Sequence, residues 1–254
     1  AKYTQKLLDE NKAYYCFCSL EELEAQRADL ISEGLAPIYS GKCRNLSEKE
    51  IAEKLGNDSK HIIRFKMPDK KIAFNDLVRG KLEFDTNIIG DFAIAKNIGI
   101  PLYNFAVIVD DFEMKITHVI RGEDHISNTP RQIALCEALD FPILQYAHLP
   151  LILGHDRSKM SKRDGATSII EYKEMGFLPE AMINFMALLG WNPGTNKEIF
   201  SIEELEKEFS MERIQKSGAI FNIQKLESIN AHYIKKMAVG KLADLCSKYF
   251  EKAG

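Results

Sequence analysis

The chain has 254 residues, 45% of them hydrophobic and 9% aromatic, which is enough to bury a sizeable core in roughly one large or two to three small domains. Its 34 basic and 37 acidic residues give a net charge of −3, which excludes a uniformly basic nucleic-acid binder. No apolar run reaches the roughly 18 residues that cross a bilayer, and the first residues do not resemble a secretory signal. We therefore expect a cytosolic protein without membrane contact.

The first third of the chain has the pattern of a mixed α/β module. Apolar residues at three- and four-residue spacing predict amphipathic helices at 1–13 and 20–33. Strand-like runs follow at 61–68 and at 72–84, and the second is a predicted hairpin that turns near Arg79–Gly80.

The middle of the chain predicts one crossover of a doubly wound parallel sheet. Residues 91–111 suggest two strands around a Gly-Ile-Pro turn, and 115–125 a strand that ends in charged residues. A helix is expected at 128–140, with Thr129 as its cap and Pro130 in its first turn.

The next strand, 147–153, leads into the segment "GHDRSKMSKRDGATS", which sets cations among small, flexible neighbours. In doubly wound sheets ligands bind at the carboxyl ends of the strands, where both this segment and "IRGEDH" lie. We expect a mobile loop that holds phosphate oxygens, and the alternative is a solvated surface turn. After Thr167 the pattern becomes mainly helical.

Arg121 follows an apolar strand, where an unpaired guanidinium is expensive to bury. A fixed, bidentate cation is what recognition of a carboxylate requires. The alternative is an internal salt bridge with Glu123 or Asp124.

The cysteines fall into two groups. Cys16, Cys18 and Cys43 are close in sequence and offer three thiolates that could meet at one tetrahedral zinc ion. Cys136 and Cys246 lie in apolar helical patterns, and we expect them to be buried small hydrophobic residues.

Three stretches together carry a family resemblance. "KMSKR" at 159–163, preceded by "HLPLIL", resembles the second signature of the class I aminoacyl-tRNA synthetases. "THVIRGEDHISNTPRQIALCEAL" and "GFLPEAMINFMALLGWNP" resemble the glutamyl-tRNA synthetases in particular. The resemblance extends from Ala1 to about Met237 and implies an α/β fold with a class I synthetase Rossmann-like domain.

The resemblance also implies where the ligands bind. Cations aimed at the pyrophosphate that leaves ATP lower the barrier to amino-acid activation, so Lys159 and Lys162 are the expected catalytic residues. The expected ATP site comprises Leu151, Ile152, Lys159, Ser161, Lys162 and Arg163. Glutamate would be held by Arg121 through its side-chain carboxylate and by Tyr103, with His125 in the same pocket. For Tyr103 a plain core role is the alternative.

Zinc is implied by the same resemblance, since many bacterial glutamyl-tRNA synthetases carry a Cys-x-Cys pair and a later Cys-x-His or Cys-x-Cys pair in this insertion. This chain departs from that pattern, because the residue two after Cys43 is Asn45, a poor ligand. Tyr39 corresponds to a zinc-binding tyrosine in the related enzyme that glutamylates queuosine-modified tRNA(Asp). The expected ligands are Cys16, Cys18, Cys43 and Tyr39; water in the fourth place or a decayed site are the alternatives.

The implied domains are an inserted acceptor-binding domain at 1–101, the second half of the Rossmann-like domain at 102–167, a helical stem-contact domain at 168–237, and the start of an anticodon-binding region at 238–254. The first class I signature, a His-Ile-Gly-His-like stretch, does not occur in the chain. We therefore expect a fragment with little or no aminoacylation activity of its own.

The full enzyme would join glutamate to ATP, with Mg²⁺, and pass the glutamyl group to the 3′ end of tRNA(Glu). We expect a monomer whose acceptor-arm contacts include Lys42, Arg44, Lys66 and Arg79. The alternatives are the queuosine-tRNA paralogue, a glutaminyl-tRNA synthetase, and a noncatalytic zinc-bearing tRNA-binding module.

Overall fold

The computed structural model describes residues 1–57, 59–160 and 168–253, without the side chains of residues 248, 252 and 253. The chain forms two compact units, a first unit of Ala1–Ile120 and Asp124–Ala147 and a second unit of Arg121–Glu123 and His148–Gly254. The predicted mixed α/β class is confirmed. The division at residues 101, 167 and 237 stays a prediction.

The first unit contains two four-stranded sheets. In chain order, the helices and strands up to the boundary are α1 (Lys2–Asp9), β1 (Ala13–Cys16), α2 (Leu20–Ser32), α3 (Glu48–Gly56), β2 (Ile62–Phe65), β3 (Lys71–Asp76), β4 (Gly80–Asp85), β5 (Phe92–Asn97), β6 (Ile100–Pro101), α4 (Tyr103–Glu113), β7 (His118–Gly122), α5 (Thr129–Leu139) and β8 (Gln145–Leu149). One sheet has the antiparallel order β1-β2-β5-β6, and the other has the order β4-β3-β8-β7. The unit boundaries fall inside β7 and β8.

The β3–β4 hairpin forms where the sequence predicts it. Exposed and buried residues alternate strictly along β3, as expected for a strand with one face on the core. The buried carboxylate of Asp76 accepts hydrogen bonds from the backbone N–H groups of Val78 and Arg79, at 3.0 and 2.8 Å. Gly80 then adopts φ = 81°, which a residue without Cβ tolerates at no steric cost.

Two predictions in the middle of the chain are wrong. The second strand expected within 91–111 is the helix α4, which buries Phe105 and Ile108 three residues apart on one face. The N-cap of α5 is Asn128, because Thr129 is already helical; its hydroxyl is buried and donates to the carbonyl of His125 at 3.4 Å. Pro130 does lie in the first turn, as predicted.

The second unit is mainly helical. Its remaining elements are β9 (Ile152–Leu153), α6 (Ile169–Glu174), α7 (Pro179–Leu188), α8 (Ile202–Glu208), β10 (Ala219–Ile220), α9 (Ile223–Lys236) and α10 (Val239–Ala253). Phe185 of α7 packs with Leu226 and Ile229 of α9 in a buried cluster, which follows from apolar residues at helical spacing on both elements. Trp191 and Phe200 form a second, smaller cluster.

Candidate functional site

The first half of the lysine segment is a tight hairpin rather than the open loop expected from its small residues. Met160 N–H donates to the carbonyl of Ile152 at 3.0 Å, and Lys159 bridges Leu153 in antiparallel fashion. Arg157 closes the turn with φ = 64°, a left-handed conformation that is uncommon for a residue with a side chain. Lys159 is thereby held on an exposed return arm.

The neighbouring strand β10 holds the first arm of this hairpin, β9, in place. β10 pairs with β9 in parallel, and the N–H groups of Ala219 and Phe221 donate to the carbonyls of Leu151 and Leu153, at 3.1 and 2.8 Å. The single strand predicted at 147–153 is therefore two strands, because residues 150 and 151 separate β8 from β9.

Ser161, Lys162 and Arg163 lie outside the described residues. Of the predicted ATP residues, Leu151, Ile152 and Lys159 are described. Leu151 N–H donates to Oε1 of Glu123 at 3.1 Å, which ties the segment before the hairpin to the residues that follow Arg121. Ile152 is exposed at 42% of its surface, so it is available to a ligand.

Arg121 has a partner that sequence reasoning missed. Its Nε donates to Nε2 of His148 at 3.1 Å, and His148 is completely buried. A ring nitrogen that accepts from a guanidinium is unprotonated, so His148 is neutral with its proton on Nδ1. No sequence signal identifies His148, because an apolar strand around a histidine is equally consistent with an ordinary core residue.

Tyr103 and His125 lie together in the first unit. Tyr103 is exposed at 52%, which rules out the alternative of a core role for its ring. Its hydroxyl lies 3.4 Å from Nδ1 of His125, and the Nδ2 amide of Asn128 lies 3.1 Å from the same nitrogen.

The three early cysteines and Tyr39 lie close together. The three Sγ atoms lie within 4.8 Å of one another, and those of Cys18 and Cys43 are 3.7 Å apart. The Tyr39 hydroxyl lies 3.4 Å from Sγ of Cys16 and 3.3 Å from Sγ of Cys18. Asn45 is exposed and does not belong to this group.

These separations match a tetrahedral zinc centre. With Zn–S bonds of about 2.3 Å, two sulfur ligands of one ion lie about 3.8 Å apart, and a sulfur and an oxygen ligand about 3.6 Å apart. The donor set, three thiols and a phenol, also suits zinc. The cysteine cluster, as we call Cys16, Cys18, Tyr39 and Cys43, therefore fits the ion in both spacing and chemistry.

The cations around the cluster shape its electrostatics. Burial raises the pKa of Cys16, but hydrogen bonds from Tyr39 and Arg64 outweigh it, so the pKa of that thiol is lowered. Burial raises the pKa of Cys18 to about 11 and also raises that of Tyr39. Without an ion, Cys16 thus ionises more readily than Cys18.

Three of the cations expected to face tRNA have partners inside the first unit. Lys42 pairs with Glu22 at 2.6 Å, and the Nζ of Lys66 donates to the side chain of Asn11 at 2.6 Å. Arg44 pairs with the buried carboxylate of Asp91 at 2.6 Å.

Comparisons with known proteins identify the family. The family described as tRNA synthetases class I (E and Q), catalytic domain, matches residues 1–228. Over all 254 residues the chain is 53% identical to the glutamate–tRNA ligase of Carboxydothermus hydrogenoformans and covers 53% of that protein. It is 53% identical over 236 residues to the glutamate–tRNA ligase of Sulfurihydrogenibium sp., of which it covers 49%.

A solved structure shares the fold. The crystal structure of a glutamate tRNA ligase from Elizabethkingia meningosepticum, in complex with its amino acid, matches with a TM-score of 0.88 and 37% sequence identity, and covers 100% of this chain and 56% of that one. The architecture is thus the Rossmann-like fold of the class I synthetases, and the chain spans about half the length of the curated relatives it matches. The chain belongs to the class I (E and Q) tRNA synthetases, and its residues 1–228 match the catalytic domain of that family.

Proposed function

We propose that this chain is part of a glutamate–tRNA ligase, and that the full enzyme acts in the cytoplasm on glutamate, ATP with Mg²⁺, and tRNA(Glu). The observation that carries the proposal is 53% identity to a protein of that name along the entire chain. Two features of the chain support the proposal further. The hairpin that carries Lys159 and the segment that carries Arg121 both follow strands of the sheet that the sequence predicts, and ligands of such sheets bind at the strand ends.

Lys159 acts in the activation step. A carboxylate oxygen of glutamate attacks the α-phosphorus of ATP, the bond to the bridging oxygen breaks, and pyrophosphate leaves with the negative charge. The ammonium of Lys159, together with Lys162, stabilises that charge in the transition state, while Leu151, Ile152, Ser161 and Arg163 complete the ATP site. The hairpin supports this role because it holds Lys159 on a backbone that is hydrogen-bonded on both arms.

Arg121 binds the side-chain carboxylate of glutamate. Its Nε donates to His148, which orients the guanidinium, and a guanidinium can bind a carboxylate in a bidentate manner. Tyr103 offers a hydroxyl to the amino acid, and His125 lies beside Tyr103.

In the transfer step the 2′-hydroxyl of the terminal adenosine attacks the acyl carbon of glutamyl-adenylate, and AMP leaves. The net charge of −3 means that contact with the acceptor arm depends on local cationic clusters of the chain.

The cysteine cluster holds a structural zinc ion through Cys16, Cys18, Cys43 and Tyr39. When bound, the ion cross-links the end of β1 to the loop before α3 and supplies no chemistry to the reaction. The proposal is supported by donor separations of 3.3 to 3.7 Å among these residues.

The relatives named glutamate–tRNA ligase favour this function over a queuosine-tRNA paralogue or a noncatalytic tRNA-binding module. The test is ATP–pyrophosphate exchange in the presence of tRNA(Glu), measured on the full-length protein that carries this chain. Exchange that requires glutamate is the expected result. Exchange with glutamine alone, or none with either amino acid, would contradict the proposal.

A further inference from the structure

A cavity of about 280 Å³ in the first unit is lined by arginines that the proposed activation chemistry does not use. Its lining comes from α2, the loop that holds Tyr39, the strands β2 and β5, and the first turn of α5. Arg27, Arg64 and Arg131 belong to the lining, together with Gln26 and Asp91. We call this space the arginine cavity.

Asp91 does not neutralise these arginines, because both of its oxygens have other donors. Oδ1 accepts from Arg44 at 2.6 Å and from the N–H of Met67 at 2.8 Å, and Oδ2 accepts from the hydroxyl of Tyr14 at 2.9 Å. Within residues 1–57, 59–160 and 168–253, none of the three cavity arginines forms a salt bridge with a carboxylate. Arg27 and Arg131 therefore bring positive charge to the cavity without a carboxylate partner among the described residues.

Arg64 makes this charge unusual, because it is only 8% exposed and its Nε has no hydrogen-bond partner. Arg64 does hydrogen-bond the Cys16 thiol, but a buried guanidinium nitrogen without a partner still costs stability. The ring of Tyr39, whose centre is 4.1 Å from the guanidinium carbon, offsets part of this cost by a cation–π contact. An anion in the cavity would offset more of it.

Arg131 is held in position for such a ligand. Its Nη1 donates to the carbonyl of Ser127 at 2.7 Å, and its guanidinium carbon lies 5.8 Å from the centre of the Phe92 ring. Burial disfavours its charged form and lowers its pKa, a penalty that a bound anion removes. Arg27, by contrast, is exposed on α2 and free of such constraints.

We infer that the arginine cavity binds a phosphate group of the tRNA backbone through Arg27, Arg64 and Arg131. Guanidinium forks match the oxygens of a phosphate and make charge-assisted hydrogen bonds with it. The inference rests on the proposed function, since tRNA is the polyanion among its ligands that remains when ATP is assigned to the lysine hairpin. It also accounts for arginines that the sequence alone did not single out.

The test is equilibrium binding of tRNA(Glu) to the full-length protein that carries this chain, at salt concentrations between about 50 and 200 mM. We expect Arg27→Gln and Arg131→Gln each to weaken binding about tenfold at the lowest salt, as the loss of one charge-assisted contact does. The Arg27→Gln, Arg131→Gln double variant should reduce the slope of log affinity against log salt by up to about 0.7 to 0.9, the contribution of one phosphate. The control Lys81→Gln removes an exposed cation outside the cavity, and it should change neither quantity.

Arg64 is not substituted, because its contacts with Cys16 and Tyr39 would mix phosphate binding with the cysteine cluster. Arg27→Gln is the decisive variant, since an exposed helical site tolerates glutamine without loss of folding.

An unchanged affinity and slope in the Arg27→Gln, Arg131→Gln double variant would overturn the inference and leave the proposed function intact. If the unsubstituted protein does not bind tRNA at all, the inference also fails, and glutamate-dependent exchange then decides separately whether the function stands. Inorganic phosphate is the second probe. If phosphate binds and the double variant loses it while tRNA binding is unaffected, the cavity is a site for a free anion and the tRNA assignment is wrong.

Discussion

Arg121 and His148 illustrate what a single residue reveals in sequence and in structure. The position of Arg121 after an apolar strand is enough to predict a functional cation, since burial of a guanidinium demands a partner. The partner itself, a buried neutral histidine 3.1 Å away, could not be predicted, because it depends on how β8 lies beside β7. His148 leaves the guanidinium charged and restricts its rotation.

Substitution of Arg121 by glutamine should raise the KM for glutamate about 10- to 100-fold, because a hydrogen-bonded charge pair contributes about 1.5–3 kcal/mol to binding. Pyrophosphate exchange by the full-length protein at varied glutamate concentration measures this. The KM for ATP should change little. Arg121→Lys retains the charge but lacks the fork, so a full rescue by lysine would contradict bidentate recognition.

Cys136 should be chemically silent in the folded chain. It is 3% exposed, and burial raises its pKa to about 12, so that at about pH 8 only one thiol in about ten thousand is ionised. Since the thiolate is the nucleophile, we expect no alkylation by iodoacetamide until the protein unfolds. Mass spectrometry after labelling tests this, with the partly exposed Cys246 as the internal control. Equal labelling of both residues would contradict the burial of Cys136 in the folded chain.

At the scale of helices and strands, the sequence predicts elements best where one signal dominates. β3 alternates without exception, and α2 has apolar residues at three- and four-residue spacing, so both could be located. α4 was mistaken for a strand because "YNFAVIVDDFE" is rich in valine, isoleucine and phenylalanine, which favour strands. Its packing of Phe105 and Ile108 into the core overrides that preference.

Gly218 lies where β10 approaches the segment before the lysine hairpin. A Cβ on this residue would come 2.7 Å from Cδ1 of Leu153 and 3.1 Å from the carbonyl oxygen of Leu151. We expect Gly218→Ala to destabilise the chain by about 1–3 kcal/mol through overpacking. Urea unfolding measures the loss. The control is Gly240→Ala, which meets no atom within 4 Å and should be neutral or slightly stabilising.

The capping box of α3 should make stability depend on pH. Hydrogen bonds from the side chain and then the backbone of Ser47 lower the pKa of Glu50 in the folded chain. A lowered folded pKa contributes stability above the unfolded value, about 4.3, and that contribution is lost as the pH falls through the folded pKa. Glu50→Gln keeps the capping geometry but cannot titrate. The difference in melting temperature between the two chains should therefore shrink as the solution is acidified; a constant difference would contradict the role of Glu50.

At the scale of the whole molecule, the sequence predicted the class of fold and the membership of the cysteine cluster. The three cysteines Cys16, Cys18 and Cys43 were grouped as possible zinc ligands because of their thiols, and the family resemblance added Tyr39. The arginine cavity was not predicted, because Arg27, Arg64 and Arg131 are far apart in sequence and meet only through tertiary packing. Conversely, Lys42 and Arg44 looked available in sequence but have carboxylate partners in the fold.

Removal of zinc should destabilise the chain as a whole. We expect one zinc ion per chain after purification, and a chelator should lower the melting temperature by about 5–10 °C, the shift that a loss of about 3 kcal/mol produces at this size. Cys43→Ala should abolish metal binding, whereas Cys246→Ala, outside the cluster, should retain it. Elemental analysis and calorimetry measure both quantities, and equal metal content in the two variants would rule out the cysteine cluster as the site.

The pairing of β9 with β10 couples distant parts of the chain. The amide of Met160 donates to the carbonyl of Ile152. The amides of Ala219 and Phe221 donate to the carbonyls of the two neighbours of Ile152, Leu151 and Leu153. These amides are released when one short ladder opens, so their hydrogens should exchange with solvent in a single cooperative event. A change that stabilises β10, the strand before α9, should therefore also slow the opening of the backbone next to Lys159.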